Sequence, residues 1–195
     1  SMDMEIIESD DSLIIIDGPK SIVEKISLSM EEGNLTLDYE KTGSWMYDKP
    51  LVKVYLPQIN KISLYAHNDL FANDTLRAEK INIFSDGTGD VKLIVNNKSV
   101  RVSGTNISNF YISGKTESLA VSCSYSSSLK GANLVAQKVH VSSYASNHQV
   151  VHPLKSLSCN IRLTGNIYYV NQPDELIVNI IDDASGEAIF GRTKQ

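Results

Sequence analysis

Four aspartates fall within one short stretch of the chain, Asp69, Asp74, Asp86 and Asp90. If neighbouring turns bring them to one side, their carboxylates offer the hard oxygen donors that calcium takes, or the paired groups that flank a scissile glycosidic bond in polysaccharide-cleaving enzymes. The same residues suit turns equally well, as in Asn73-Asp74 and Asp86-Gly87, where an Asx side chain bonds to nearby backbone. Calcium binding, catalysis and turn capping are thus the three readings of this cluster. Turn capping is favoured, because later parts of the chain carry no matching acids. No catalytic residue is assigned. No cofactor is assigned either, calcium being the one ion the cluster would take.

The histidines His67, His140, His148 and His152 give no metal site, since the four-residue spacing of the last two aligns rings only on a helix and the region reads as strand. No serine stands in a nucleophile-elbow pattern and no glycine-rich phosphate loop occurs. The aromatic residues are more informative. Tyr65 and Phe84 begin an outward column that continues as Ser103, Ser122, Ser142 and Asn160, and Tyr111, Tyr125 and Tyr144 extend the surface. Such a ladder could stack sugar rings at one end and hydrogen-bond hydroxyls along the other, or simply form a solvated face.

The strands that carry these side chains show themselves by repetition. Apolar pairs two residues apart recur at Ile62/Leu64, Ile81/Ile83, Val100/Val102, Leu119/Val121, Val139/Val141 and Leu157/Cys159, in steps of 19, 19, 19, 20 and 18. Alternation at that regular spacing is the pattern of stacked β-rungs. A second strand per rung follows at Val91/Leu93, Phe110/Ile112, Leu129/Gly131 and Ile167/Tyr169, with Gly-, Ser- and Asp-rich corners between. The fold class is therefore all-β, a short parallel β-helix (β-solenoid) of about six rungs with β-strand caps at both ends. Gln149 in an inward place, with Val150/Val151 one step off, marks a bulge in the fifth unit.

One domain covers 1–195. Residues 1–12 read as an N-terminal tail, 13–56 as capping strands (Leu13 to Asp17, Val23 to Ser29, Leu35 to Glu40, then Leu51 to Leu56), 57–173 as rungs, and 174–195 as a C-terminal cap and tail. Both caps are needed because solenoid ends expose unpaired strand edges. Cys123 and Cys159 sit two rungs apart, roughly 9 to 10 Å, too far for a disulfide. Two free thiols are expected.

Composition narrows the function classes. A net charge of -5 without a basic run argues against nucleic acid as a partner, and no apolar stretch is long enough to span a bilayer. The opening Ser1-Met2 reads as a cloning remnant, so an export signal or lipid anchor could have preceded it.

The run from about Leu35 to Pro173 resembles the autotransporter-adhesin head domain called the GIN domain, found mainly in exported proteins of Bacteroidota. Four segments carry the resemblance: Leu51 to Pro57, Ser85-Asp86-Gly87-Thr88-Gly89-Asp90, Val102-Ser103-Gly104 and Gly165-Asn166-Ile167-Tyr168-Tyr169. The later rungs depart from it at Cys123-Ser124-Tyr125-Ser126 and Ser142-Ser143-Tyr144. The resemblance implies a right-handed β-helical rod, export to the cell surface or periplasm, and an adhesin role without catalytic residues. The leading expectation is a non-catalytic surface adhesin or binding module facing a glycan or surface protein, with Tyr65, Phe84, Tyr111, Tyr125 and Tyr144 as contact residues. A pectinase-like enzyme using the Asp cluster, and a self-assembling homo-oligomeric envelope module, are the alternatives.

Overall fold

Alternating apolar and polar residues make each strand two-faced, and parallel stacking then puts every inward side chain on top of its equivalent one turn earlier. The computed structural model describes residues 2–31, 34–39 and 49–191, and in it the chain forms a β-solenoid of about seven turns, not a barrel. The rungs are built from β6 (Lys61–Ala66), β7 (Asp69–Leu76), β8 (Lys80–Gly87), β9 (Asp90–Asn106), β10 (Asn109–Tyr125), β11 (Ser128–Ala145), β12 (Gln149–Ile161) and β13 (Ile167–Tyr169). All pair in parallel.

Three inward columns line one wall of the core. Ile81, Val100, Leu119, Val139 and Leu157 stack in register, as do Ile83, Val102, Val121, Val141 and Cys159, and all ten are buried. The third column, at a corner, runs through the small residues Ser85, Gly104, Cys123 and Ser143 and ends on Ile161. Gly104 is required there because a Cβ would lie 2.5 Å from the buried Phe110 ring. Gly114 is required for a different reason: its φ of 110° suits glycine, and a Cβ would meet the Val95 carbonyl oxygen at 2.0 Å.

The corner also has a buried polar spine. The Ser108 hydroxyl lies 2.9 Å from that of Ser85, and the Ser127 hydroxyl lies 3.0 Å from the Gly104 carbonyl. One turn on, fully buried Gln149 donates to the Ser127 carbonyl at 3.1 Å and accepts from the Leu129 amide at 2.8 Å. An inward glutamine is tolerated because every bond it makes satisfies backbone left unpaired by the turn. The expected irregularity follows directly, as register shifts between β11 and β12 at Lys130/Val135 and Ala136/Lys138.

Several expectations need correction. Residues 1–12 are not simply a tail: β1 (Asp3–Glu8) lies in the solenoid between β7 and β5 (Leu51–Leu56), parallel to both, with Met2, Met4 and Ile6 buried. It enters the stack out of chain order, so a periodicity counted forward along the sequence passes over it. β5 is thereby part of the stack, and β2 (Leu13–Asp17) pairs with it antiparallel. Residues Lys20–Val23 form the short helix α1 after Pro19, so the next strand, β3, begins at Ile26 and runs to Glu31. It forms a hairpin with β4 (Asn34–Tyr39), and Glu40 lies outside the described residues.

The first rung is also out of step with the 19-residue count. Ile62 pairs with Ile83, not Ile81, which makes Ser63 rather than Tyr65 the register partner of Phe84. At the other end β14 (Glu175–Ile180) joins β12 in parallel and β15 (Ala188–Phe190) joins β13, so the segment after Pro173 adds a rung in the same register.

Leu119→Ala is expected to cost about 2–5 kcal/mol in a denaturant melt, while Ser122→Ala on the outward face stays within about 0.5 kcal/mol. Both cysteines are free and buried, and burial pushes their thiols up, to about 11 for Cys123 and about 12 for Cys159. Neither thiol should react with iodoacetamide in the folded protein at pH 7.5, and both should after unfolding. Because the folded values exceed the ordinary one, stability is whole below about pH 9 and declines as pH rises toward these values.

Candidate functional site

Where β7 crosses β9, the register jumps from Phe71/Lys92 to Thr75/Ile94, so extra residues of β7 bulge out of the ladder. The bulge opens a surface cleft of about 460 Å³. Asp3, Asp69, Asn73, Asp90 and Lys92 supply its polar walls, and Phe71, Ile94 and Tyr111 its apolar ones. Three successive strands contribute Phe71, Lys92 and Tyr111 at paired positions, so the cleft runs along the rod axis across rungs.

Two lysines set the electrostatics. The Lys49 ammonium lies 3.3 Å from Asp3 Oδ1 and 3.2 Å from Asp69 Oδ2. Asp69 Oδ1 accepts the Asp90 amide at 2.8 Å, and Asp90 Oδ1 accepts from Asn109 Nδ2 at 3.2 Å. Partial burial works against the Asp69 carboxylate, but the Asp90 amide and Lys49 outweigh it and hold its pKa below the usual value. Burial likewise opposes the Lys49 charge, and its bonds to Asp69 and Asp3 overcome that and raise it. Lys92 pairs with Asp90 at 3.5 Å and stands 5.6 Å from the Tyr111 ring centroid, a cation–π contact that holds the ring at the cleft wall.

Behind the cleft Glu5 is buried yet satisfied, accepting from Asn73 Nδ2 at 2.7 Å and pairing with Lys53 at 3.3 Å.

The four aspartates are thus divided. Asp69 and Asp90 come together, Asp74 lines a second depression with Glu8 and Arg77, and Asp86 accepts from the Asn106 amide group at a different corner. Among the described residues no group of three His, Cys, Asp or Glu side chains is arranged to hold a metal ion. The aromatic residues are divided too. Tyr65 and Phe84 touch, with ring centroids 5.7 Å apart. Tyr111 belongs to the cleft, Tyr144 packs under the Arg162 guanidinium at 5.0 Å, and Tyr125 stands exposed at a corner with φ 55°. Asp3, Lys49, Phe71, Asn73 and Lys92 were not anticipated. Lys92 and Phe71 had a legible signal, as outward neighbours of the inward Val91 and Leu70.

A family model described as "Putative auto-transporter adhesin, head GIN domain" matches residues 1–173. The chain belongs to this family. No curated protein matches it. Among solved structures, a "putative adhesin" from Bacteroides fragilis NCTC 9343 superposes with a TM-score of 0.91 at 20% identity, covering 97% of this chain and 88% of that one. A "putative lipid binding protein" from Parabacteroides distasonis ATCC 8503 gives 0.72 at 16% identity, covering 97% and 89%. A "putative adhesin" from Parabacteroides merdae ATCC 43184 gives 0.64 at 15%, covering 96% and 88%. At these identities the solenoid fold is what they share. No helix among the described residues is long and apolar enough to cross a membrane.

The Lys49 contacts make the Asp69 shift testable. In an NMR titration the Asp69 carboxyl should ionise below the usual aspartate range, and Lys49→Met should move it upward. Since the folded pKa is the lower one, its stabilisation is present above the unfolded value and lost as pH falls through the folded one. Asp69→Asn should flatten that acid limb.

Proposed function

We propose that this GIN domain is a non-catalytic binding module of an exported protein, acting at the cell surface or in the periplasm, and that the Asp69/Asp90/Tyr111 cleft receives a glycan. The observation that carries the reading is the pairing of an outward aromatic face with prearranged hydrogen-bonding groups in one open cleft. Sugars offer apolar CH faces to rings and hydroxyls to carboxylates, amides and ammonium groups. Tyr111 and Phe71 supply the first kind of contact, and Asp69, Asn73, Asp90 and Lys92 the second. Because Lys49 and backbone hold Asp69, little ordering cost accompanies binding. The family's adhesin description supports a binding role.

The pectinase-like alternative is less well supported. A carboxylate pair that cleaves a glycosidic bond needs one member kept protonated by an apolar setting, whereas Asp69 and Asp90 each face a lysine, at 3.2 Å and 3.5 Å.

A glycan array with the purified chain, with and without calcium, tests the proposal. Saturable binding is expected, weakened about tenfold by Tyr111→Ala and unchanged by Asp86→Asn, which lies at another corner. Oligosaccharide products released from a bound polymer would overturn the non-catalytic reading, and binding indifferent to Tyr111→Ala would remove the cleft from it.

A further inference from the structure

Among the described residues the last rung is built like the others but nothing covers it. Leu157, Cys159 and Ile161 of β12 are buried to 1%, 0% and 0% exposure. Their partners one rung on, Leu176, Val178 and Ile180 of β14, continue the same inward columns yet are exposed by 39%, 37% and 53%. The solenoid core therefore ends as an open apolar floor. Ile177 on the outward side is 57% exposed, and Phe190 is 59% exposed beside Tyr169, with ring centroids 5.6 Å apart.

The backbone edge is equally bare. β14 pairs only with β12, and no described strand bonds to its outer edge. Solenoids and open sheets usually protect such an edge with proline, lysine, a bulge or a covering segment. Leu176–Ile180 contains no charge and no proline.

We infer that the open C-terminal end is a self-association face, where a second copy docks through a two-fold axis that pairs β14 antiparallel with its own equivalent. A two-fold suits the surface because every component is self-complementary: an apolar floor meets an apolar floor, and an unpaired edge meets an unpaired edge. The area is also of the right order. At the exposures above, the five side chains alone present roughly 400 Å² of apolar surface, about half of one partner's share in a standard stable interface. The strand edge and flanking turns add to it. Charge sets the salt response: Asp174 and Glu175 precede the strand and Asp182 and Asp183 follow it, so antiparallel pairing brings acids near acids at both rims. Salt screens that repulsion and strengthens the apolar contact, so association tightens as ionic strength rises.

Sedimentation equilibrium of the whole chain between micromolar and several hundred micromolar tests the inference. A monomer–dimer equilibrium is expected, tighter at 0.5 M than at 0.05 M sodium chloride, with Ile180→Lys weakening it about tenfold or more. Since Ile180→Lys can perturb the last rung, Ile177→Cys provides an independent arm on the solvent-facing side. With both native thiols buried, mild oxidation should cross-link Ile177→Cys into a dimer, while Ser122→Cys in mid-rod should stay monomeric. A chain monomeric throughout the range, or a dimer indifferent to Ile180→Lys and not trapped through position 177, would overturn the inference.

Discussion

In a parallel stack each inward side chain rests on the same position of the turn below, so every rung must supply an apolar group at the right height and phase. Ile81, Val100, Leu119, Val139 and Leu157 meet that demand in one column, and the axial hydrogen bonds of the ladder hold them at one strand spacing. A one-residue slip would turn the whole buried set outward. The remaining features follow from keeping this register while rung length varies. Where β7 and β11 carry extra residues, these are expelled as bulges rather than passed into the core, and the β7 bulge opens the cleft.

The cleft is therefore a by-product of core registration that has acquired ordered chemistry. Lys49 joins Asp3 on β1 to Asp69 on β7, two elements far apart in sequence that meet because β1 enters the stack between β5 and β7. Pairing offsets like charges on the wall without withdrawing them from solvent. On the inner side, Gln149, Ser108 and Ser127 do comparable work in the buried corner. They bond to backbone that the corners leave unpaired, at positions where an apolar side chain would strand it.

Much of this was legible in the sequence because the governing signal is periodic. The columns from Ile81 to Leu157, the irregularity at Gln149 and the free thiols all follow from spacing and strand geometry. The N-terminal strand was illegible for a physical reason: Asp3–Glu8 gains its partners from later parts of the chain, and Met-Glu-Ile alternation over six residues is a weak pattern alone. The first rung slipped by two because Ile62 of β6 pairs with Ile83 of β8, a step of 21 residues instead of 19. Half of the candidate site was visible, as Asp69, Asp90 and Tyr111. The cationic half was not, since Lys49 and Lys92 look like ordinary surface lysines until the bulge places them.

The register itself can be measured directly. Ser103, Ser122, Ser142, Asn160 and Asn179 form one outward column, so spin labels at positions 103 and 179 stand four rung steps apart. With doubly labelled protein diluted into unlabelled chain, double electron–electron resonance should give a narrow distribution centred on about 19 Å between backbones, lengthened only by the label arms. A broad distribution, or a distance well beyond 30 Å, would contradict the stacked register on which the cleft and the open end both depend.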